Sequence, residues 1–292
     1  MKYATPQAFR TALEARLRNA QTDNVGISRL RKRVVFERFL ARLVAEAKEE
    51  WVLKGGFALE LRLGDVARST KDADFEWRRG EEAVVEMLLD AAARDVGDLF
   101  TFALERAEAD ADLPGGGQRW KVTATLAGRV FERVVIDVAF AAEPIDAPQL
   151  IVTSNLLEFA GVQSVEVPVI GIEQHLAEKL HAYTREYAGG RRNTRVKDLV
   201  DVVVIANTSA IDAAKLAEAV AAIFARRADQ VIPASLPAPP VEWAVAWPRL
   251  ARNVPAADDL AEGYRDAVAL FDPVLGGAVT TGAWQPGVGW SV

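Results

Sequence analysis

Apolar residues recur at intervals of three and four over much of the first fifty positions. From Ser28 to about Glu49, Leu30, Val34, Phe36, Phe39, Leu40, Leu43 and Val44 keep a near-helical period, which predicts a long amphipathic helix. A shorter helix precedes it, with Thr5 at the N-cap, Pro6 at the first helical position and a pattern running to about Asn19. Trp51-Val52-Leu53 reads as a short strand ending at Gly55-Gly56. A helix over 57–63, a loop over 64–70, a strand over 71–77 and a helix over 81–94 follow, the last with Val84, Val85, Met87, Leu88 and Leu89 on its apolar face. Further strands are expected at about 99–106, 119–126 and 130–140, the last two joined by a turn at Ala127-Gly128-Arg129. Strand, helix, strand, helix and hairpin predict an α+β fold, a mixed α/β sheet with helices packed on one face.

Pro168 and Gly171 mark a change of character, after which the pattern is almost entirely helical. Helices are expected at about 172–187, 195–208, 212–228, 241–252 and 256–271, with the PASLPAPP stretch at 233–240 as a stiff connection. The final residues have no periodicity, but Trp284 and Trp290 predict that they dock on the protein. Two domains follow: 1–168, a sheet domain with N-terminal helices, and 169–292, a C-terminal helical bundle expected to complete the active-site cleft.

Composition narrows the chemistry. Half of the 292 residues are hydrophobic, yet no apolar run reaches the roughly 18–20 residues that span a bilayer, so no membrane association is expected. The N-terminus lacks the apolar stretch of a signal peptide and carries Glu14 among its arginines, so a cytoplasmic location is expected. There is no cysteine, and His175 and His181 are the only histidines, so a bound metal would be hard and oxygen-liganded. A net charge of −6 argues against indiscriminate coating of nucleic acid, though not against a local basic patch. With nine lysines against 26 arginines, a lysine beside carboxylates stands out.

The densest candidate chemistry lies between Lys54 and Asp74. Asp72 and Asp74 alternate on the expected strand, so both carboxylates project to one side and can converge on a cation. The alternative is a solvated acidic turn. Lys54, Gly55 and Gly56 end a strand and open a helix, which leaves backbone N–H groups accessible to a polyphosphate. Arg68, Ser69, Thr70 and Lys71 concentrate hydroxyl and cationic groups just ahead of the acids. Asp137 interrupts the apolar run Val134 to Phe140, and a buried carboxylate needs a partner. A metal shared with Asp72 and Asp74 is one candidate partner; Arg133 or an arginine of a neighbouring strand is another, and an edge position for the strand would also relieve it.

In the helical half, Ile172, Leu176, Leu180, Tyr183 and Tyr187 form an apolar stripe, and Lys179 falls only about 20° outside its edge at roughly 100° per residue. It either snorkels or meets a carboxylate. Asp198 and Asp201 share one face of a helix that is otherwise apolar and need cations, for which Lys179 and Arg195 are candidates, or a functional cleft. Arg191, Arg192, Arg195 and Lys197 form a basic cluster suited to RNA phosphates, or a solvated charge run. The histidines are given no role.

LKGGFALELR at 53–62, RSTKDAD at 68–74, HLAEKLHA at 175–182 and RVKDLVD at 195–201 together resemble the AbiEii/AbiGii-type nucleotidyltransferase toxins, including the MenT toxins, within the DNA polymerase β-like superfamily. The resemblance spans roughly residues 30–210. It departs where many nucleotidyltransferases have Gly-Ser and this chain has Gly55-Gly56, with Thr70 or Ser69 as substitutes for the missing serine. It implies Mg²⁺ ligation by Asp72 and Asp74, a phosphate contact at Lys179, a further catalytic acid at Asp201 and an ambiguous Asp198. It implies an NTP co-substrate, transfer of a nucleoside monophosphate to the 3′ end of tRNA with a block to translation, and a cognate antitoxin. Rival readings are a transferase acting on a protein or on a small molecule such as an antibiotic, and a catalytically silent binding protein of the same fold.

Overall fold

Thr5 caps the first helix as its position predicts: its hydroxyl accepts the Ala8 N–H at 3.3 Å, and α1 runs Pro6–Asn19. The computed structural model describes residues 1–22, 25–47, 49–78, 80–107, 117–140, 146–185 and 193–291. By its internal contacts the chain forms two compact units, one of residues 1–65 and 69–170, the other of residues 66–68 and 171–292.

In the first unit the order continues with α2 (Ile27–Ala47), β1 (Trp51–Lys54), α3 (Gly55–Leu63), β2 (Asp72–Trp77), α4 (Glu81–Ala93), β3 (Phe100–Arg106), β4 (Gly117–Leu126), β5 (Arg129–Phe140), β6 (Gln149–Val152) and β7 (Glu166–Val169). The seven strands form one mixed sheet in the order β3-β4-β5-β2-β1-β7-β6. β2 runs parallel to β5, and β1 parallel to β7; the other neighbours are antiparallel. The β4–β5 turn places both Ala127 and Gly128 at positive φ, 54° and 69°, as a tight two-residue hairpin requires.

Alternation along the strands divides the sheet into two faces. Ala73, Phe75 and Trp77 of β2, with Trp120, Val122 and Ala124 of β4 and Ile136 and Val138 of β5, join one core shared with α1 to α4. Asp72 and Asp74 project to the opposite face, and the register carries that polarity to Asp137, the β5 partner of Asp74.

β6 and β7 were not expected. Each has only four residues and neither ends in a glycine pair like the one that marks the equally short β1, and Pro168, expected as a break, lies inside β7. The long helix α2 also departs from its amphipathic pattern, since Arg33, Glu37, Arg38 and Arg42 are buried. Asp98, fully buried, accepts from Arg38 Nε at 2.9 Å and from Arg42 at 2.7 and 2.8 Å, and Glu60 accepts from Arg29 and Arg33 at 2.9 Å. These pairs let a charged helix lie inside the core.

The second unit contains α5 (Ile172–Thr184), α6 (Val196–Thr208), β8 (Ile211–Asp212), α7 (Ala213–Arg227), α8 (Trp243–Ala251), α9 (Leu260–Leu275), β9 (Ala283–Gln285) and β10 (Gly289–Ser291). It is not helical throughout, because β10-β9-β8 form a small antiparallel sheet. The terminal tryptophans dock as expected. Trp284 and Trp290 face each other across β9 and β10 at 5.7 Å, and their indole N–H groups donate to the Ala206 and Leu270 carbonyls at 2.7 and 3.0 Å. Among the described residues no helix is long and apolar enough to cross a membrane.

Candidate active site

The apolar strand Trp51 to Leu53 delivers the chain to Gly55, whose φ of 66° turns it directly into α3. A side chain there would be strained and would also collide: a Cβ on Gly55 would lie 1.8 Å from Oδ2 and 2.6 Å from Cγ of Asp74. The bend and the second acid of the strand are therefore in direct apposition. Lys54 holds the N-cap position without a side-chain capping bond, so the first turn of α3 presents N–H groups of the kind that receive anions.

Asp72 and Asp74 are partly exposed on the same face of β2. Thr70 Oγ1, itself buried, donates to Asp72 Oδ1 at 2.9 Å, which fixes the carboxylate rotamer. Glu76, next in the alternation, receives the Lys54 ammonium at 2.9 Å. On β5, Asp137 is gripped by the β4 residue directly opposite it: Arg119 Nε and Nη2 donate to its two oxygens, each at 2.7 Å. Of the partners open to Asp137 from the sequence, the structure shows the arginine of a neighbouring strand.

Among the described residues no group of three or more histidine, aspartate or glutamate side chains is arranged to hold a metal ion. A magnesium site of the substrate-bridging kind does not need three, because the ion keeps several waters and takes one or two carboxylates plus substrate phosphates. Asp72 and Asp74 fit that donor set, and only a residue without Cβ at position 55 leaves room for the Asp74 oxygen. Asp137 would have to share its oxygens with Arg119.

In the second unit, α5 and α6 carry a buried charge cluster of Lys179, Asp198 and Asp201, joined by two partly buried arginines. Lys179 Nζ donates to Asp201 Oδ2 at 2.7 Å and to Asp198 Oδ1 at 3.2 Å. Arg68 is counted in this unit by its contacts and binds Asp201 through Nε and Nη2, both at 2.9 Å. Arg195 stands 3.7 Å from Asp198 Oδ2. Burial disfavours both charged forms, but the opposing charges win. Asp201 is held far below the usual carboxylate range by Lys179 and Arg68, and Lys179 is raised by Asp201 and Asp198 despite the opposing charge of Arg68. The inward-facing ion pair weighed from the sequence is thus present. It uses two of the three Lys179 N–H donors and leaves capacity for one more acceptor.

Other expected residues are placed as follows. Ser69 and Lys71 are exposed. Arg68, expected among the phosphate contacts, meets Asp201. Arg191, Arg192 and Tyr187 lie outside the described residues. His175 and His181 are both buried. His181 Nε2 lies 2.8 Å from Asp229 Oδ1 and its Nδ1 lies 3.2 Å from Arg227 Nη1, so the neutral ring accepts from the arginine and donates to the aspartate. Two partners were missed: Glu76, which the Asp72, Asp74 alternation would have found, and the Arg68–Asp201 pair, for which a separation of 133 residues gives no signal.

A mixed sheet that sets paired carboxylates against a glycine bend, in a chain that also carries a buried lysine held by two acids, fits the class of nucleotidyltransferases. The model of the family described as nucleotidyl transferase AbiEii toxin, of type IV toxin–antitoxin systems, matches residues 38–271, and the chain belongs to that family. It is a nucleotidyl transfer enzyme and a toxin of this class, and membership implies an NTP substrate and an antitoxin partner. Among solved structures, MenT4, a nucleotidyltransferase toxin from Mycobacterium tuberculosis, shares the fold, with 18% identity over 93% of this chain and 99% of that chain and a TM-score of 0.53. JHP933 from Helicobacter pylori is 17% identical over 85% and 93% of the two chains, with a TM-score of 0.47. Comparison with curated proteins gives no match.

Proposed function

We propose that this enzyme transfers a nucleoside monophosphate from an NTP to the 3′ end of tRNA with the help of Mg²⁺ and so blocks translation. The observation that carries the reading is the apposition of Asp74 to Gly55 beside Asp72 on one face of β2. Mg²⁺ bound there would neutralise triphosphate charge and make the acceptor hydroxyl more acidic.

The chain's own residues have separable tasks. Thr70 holds Asp72 in its rotamer, and Gly55 leaves space for Asp74. The N–H groups at the start of α3 receive phosphate oxygens. Lys179 offers its remaining N–H to a phosphate, and Asp201 with Asp198 keeps that ammonium charged and oriented. Asp201 acts as an anchor rather than a base, since both its oxygens are engaged and it is a weak proton acceptor. In the reaction the 3′ oxygen bonds to the α-phosphorus, the bond between the α-phosphorus and the bridging oxygen breaks, and pyrophosphate leaves. The hydroxyl proton passes to a carboxylate on the acid face.

Incubating the pure protein with each radiolabelled NTP and total tRNA tests this reading. Label should enter tRNA from at least one NTP, and Asp72→Ala should abolish it while the far-UV circular dichroism is retained. Label entering protein or a small molecule, or an Asp72→Ala enzyme working at the wild-type rate, would defeat it.

A further inference from the structure

The face of the sheet that carries Asp72 and Asp74 continues across β5 and β4, and its charge changes sign on the way. Asp72 pairs with Val135 of β5, and Val135 pairs with Lys121 of β4, so Lys121 stands two strand spacings, about 10 Å, from the acid. Arg133 precedes Val135 by two residues and projects to the same side, opposite Thr123. Arg119 is opposite Asp137 on this face, with 35% of its side chain exposed. Lys121 and Arg133 are exposed, and among the described residues neither has a carboxylate within salt-bridge distance. Glu105 is the cross-strand neighbour of Lys121 on β3, but no ion pair joins them.

Structure alone gives these two cations no task. Charged residues often protect sheet edges, but β4 and β5 lie inside the seven-strand order. Lysine is disfavoured in strands, and this chain has only nine. Lys121 and Arg133 are diagonal neighbours across β4 and β5, about 7–8 Å apart, of the order of the step between phosphates in an extended nucleic-acid strand. Thr123 and Thr125 add hydroxyl groups to the same row.

We infer that the open face of β4 and β5, through Lys121 and Arg133, holds the phosphate backbone of the acceptor RNA beside the acid pair. This rests on the nucleotidyl transfer to RNA proposed above. Both side chains bind phosphates as cations in a sequence-independent, salt-sensitive way. They position the acceptor and take no part in bond making.

The test compares wild type, Lys121→Glu, Arg133→Glu and the double variant with Lys215→Glu, which makes the same charge change as each single variant at an exposed position on α7. RNA binding is read by fluorescence anisotropy of labelled tRNA over a series of salt concentrations, and binding of a non-hydrolysable NTP with Mg²⁺ by calorimetry. The double variant should bind tRNA at least about tenfold more weakly, with a salt slope shallower by roughly 1.4–1.8, and show a higher KM for RNA at unchanged nucleotide affinity. Thermal melts check folding, and Lys121→Gln with Arg133→Gln provides a milder pair. Unchanged tRNA affinity and slope, an equal loss in Lys215→Glu, or a loss of nucleotide affinity instead would each overturn the inference. If wild type binds tRNA through this face yet transfers nothing to it, the proposed function fails while the surface stands. Transfer to a protein with no effect of the double variant would remove both.

Discussion

Replacing Gly55 by alanine separates two demands that the bend satisfies. Its φ of 66° lies in the left-handed region, which costs an L-residue about 1–2 kcal/mol. The added Cβ would also stand 1.8 Å from Asp74 Oδ2, so the Asp74 side chain must leave its rotamer or the bend must open. Gly128 supplies the control, because its φ is 69° and nothing lies within 4 Å of a Cβ built there. Gly128→Ala should lose about 1–2 kcal/mol in urea unfolding and keep wild-type transfer. Gly55→Ala should lose about 1 kcal/mol more, the cost of an off-rotamer side chain. It should also lose about 10²-fold in kcat, because a misplacement on the order of 1 Å at the reacting centre costs that much. The assays are urea titration followed by circular dichroism, and single-turnover transfer from labelled NTP. A Gly55→Ala enzyme with wild-type kcat, or one indistinguishable from Gly128→Ala in both assays, would refute the claim that the bend exists to seat Asp74.

Other groups give further outcomes. Glu37 is buried, and that burial pushes its pKa up to about 7 against the opposing hydrogen bonds from Ser154 and the charges of Arg33 and Arg38. Its value in the folded state lies above the ordinary 4.5, so the stability it adds is complete below about pH 4.5 and is lost as pH rises through about 7. The swing is roughly 3 kcal/mol, and Glu37→Gln should remove it when urea stability is compared at pH 5 and pH 8. Asp201→Asn leaves the buried Lys179 and the partly buried Arg68 without their main counter-charge and should cost about 3–5 kcal/mol at pH 7 by urea titration. Because Asp201 is depressed in the folded state, that contribution is present above its ordinary pKa and fades as pH falls below it. Retention of wild-type stability by Asp201→Asn would contradict the anchor role.

What the sequence makes visible is local. The Thr5 cap, the β4–β5 turn and the alternation of Asp72 and Asp74 each depend on residues within four positions of one another, and each is found where the pattern places it. Strands of two to four residues carry too little alternation to show by period, so β1 is visible through the glycine pair that ends it while β6 to β10, without such a mark, are not expected. α9 runs on to Leu275 through Pro273, past the end that its apolar spacing suggests. Long-range pairing is the other blind spot. Nothing near Asp98 distinguishes it from Asp95, yet Asp98 is the buried partner of two arginines some sixty residues earlier, while Asp95 only closes a turn at Gly97. Asp137 shows the same limit in the candidate site. Its need for a partner follows from the apolar run around it, but the choice of Arg119 is set by the β4–β5 register.

The central claim is that Asp72 and Asp74 form an oxygen site at which a divalent ion and a triphosphate bind together. Calorimetric titration of a non-hydrolysable NTP into wild type and Asp74→Asn, with and without Mg²⁺, tests it most directly. The account predicts binding to wild type that depends on Mg²⁺ and is weakened at least about tenfold in Asp74→Asn. Equal affinity with and without the metal, or an Asp74→Asn protein that binds as wild type does, would contradict it.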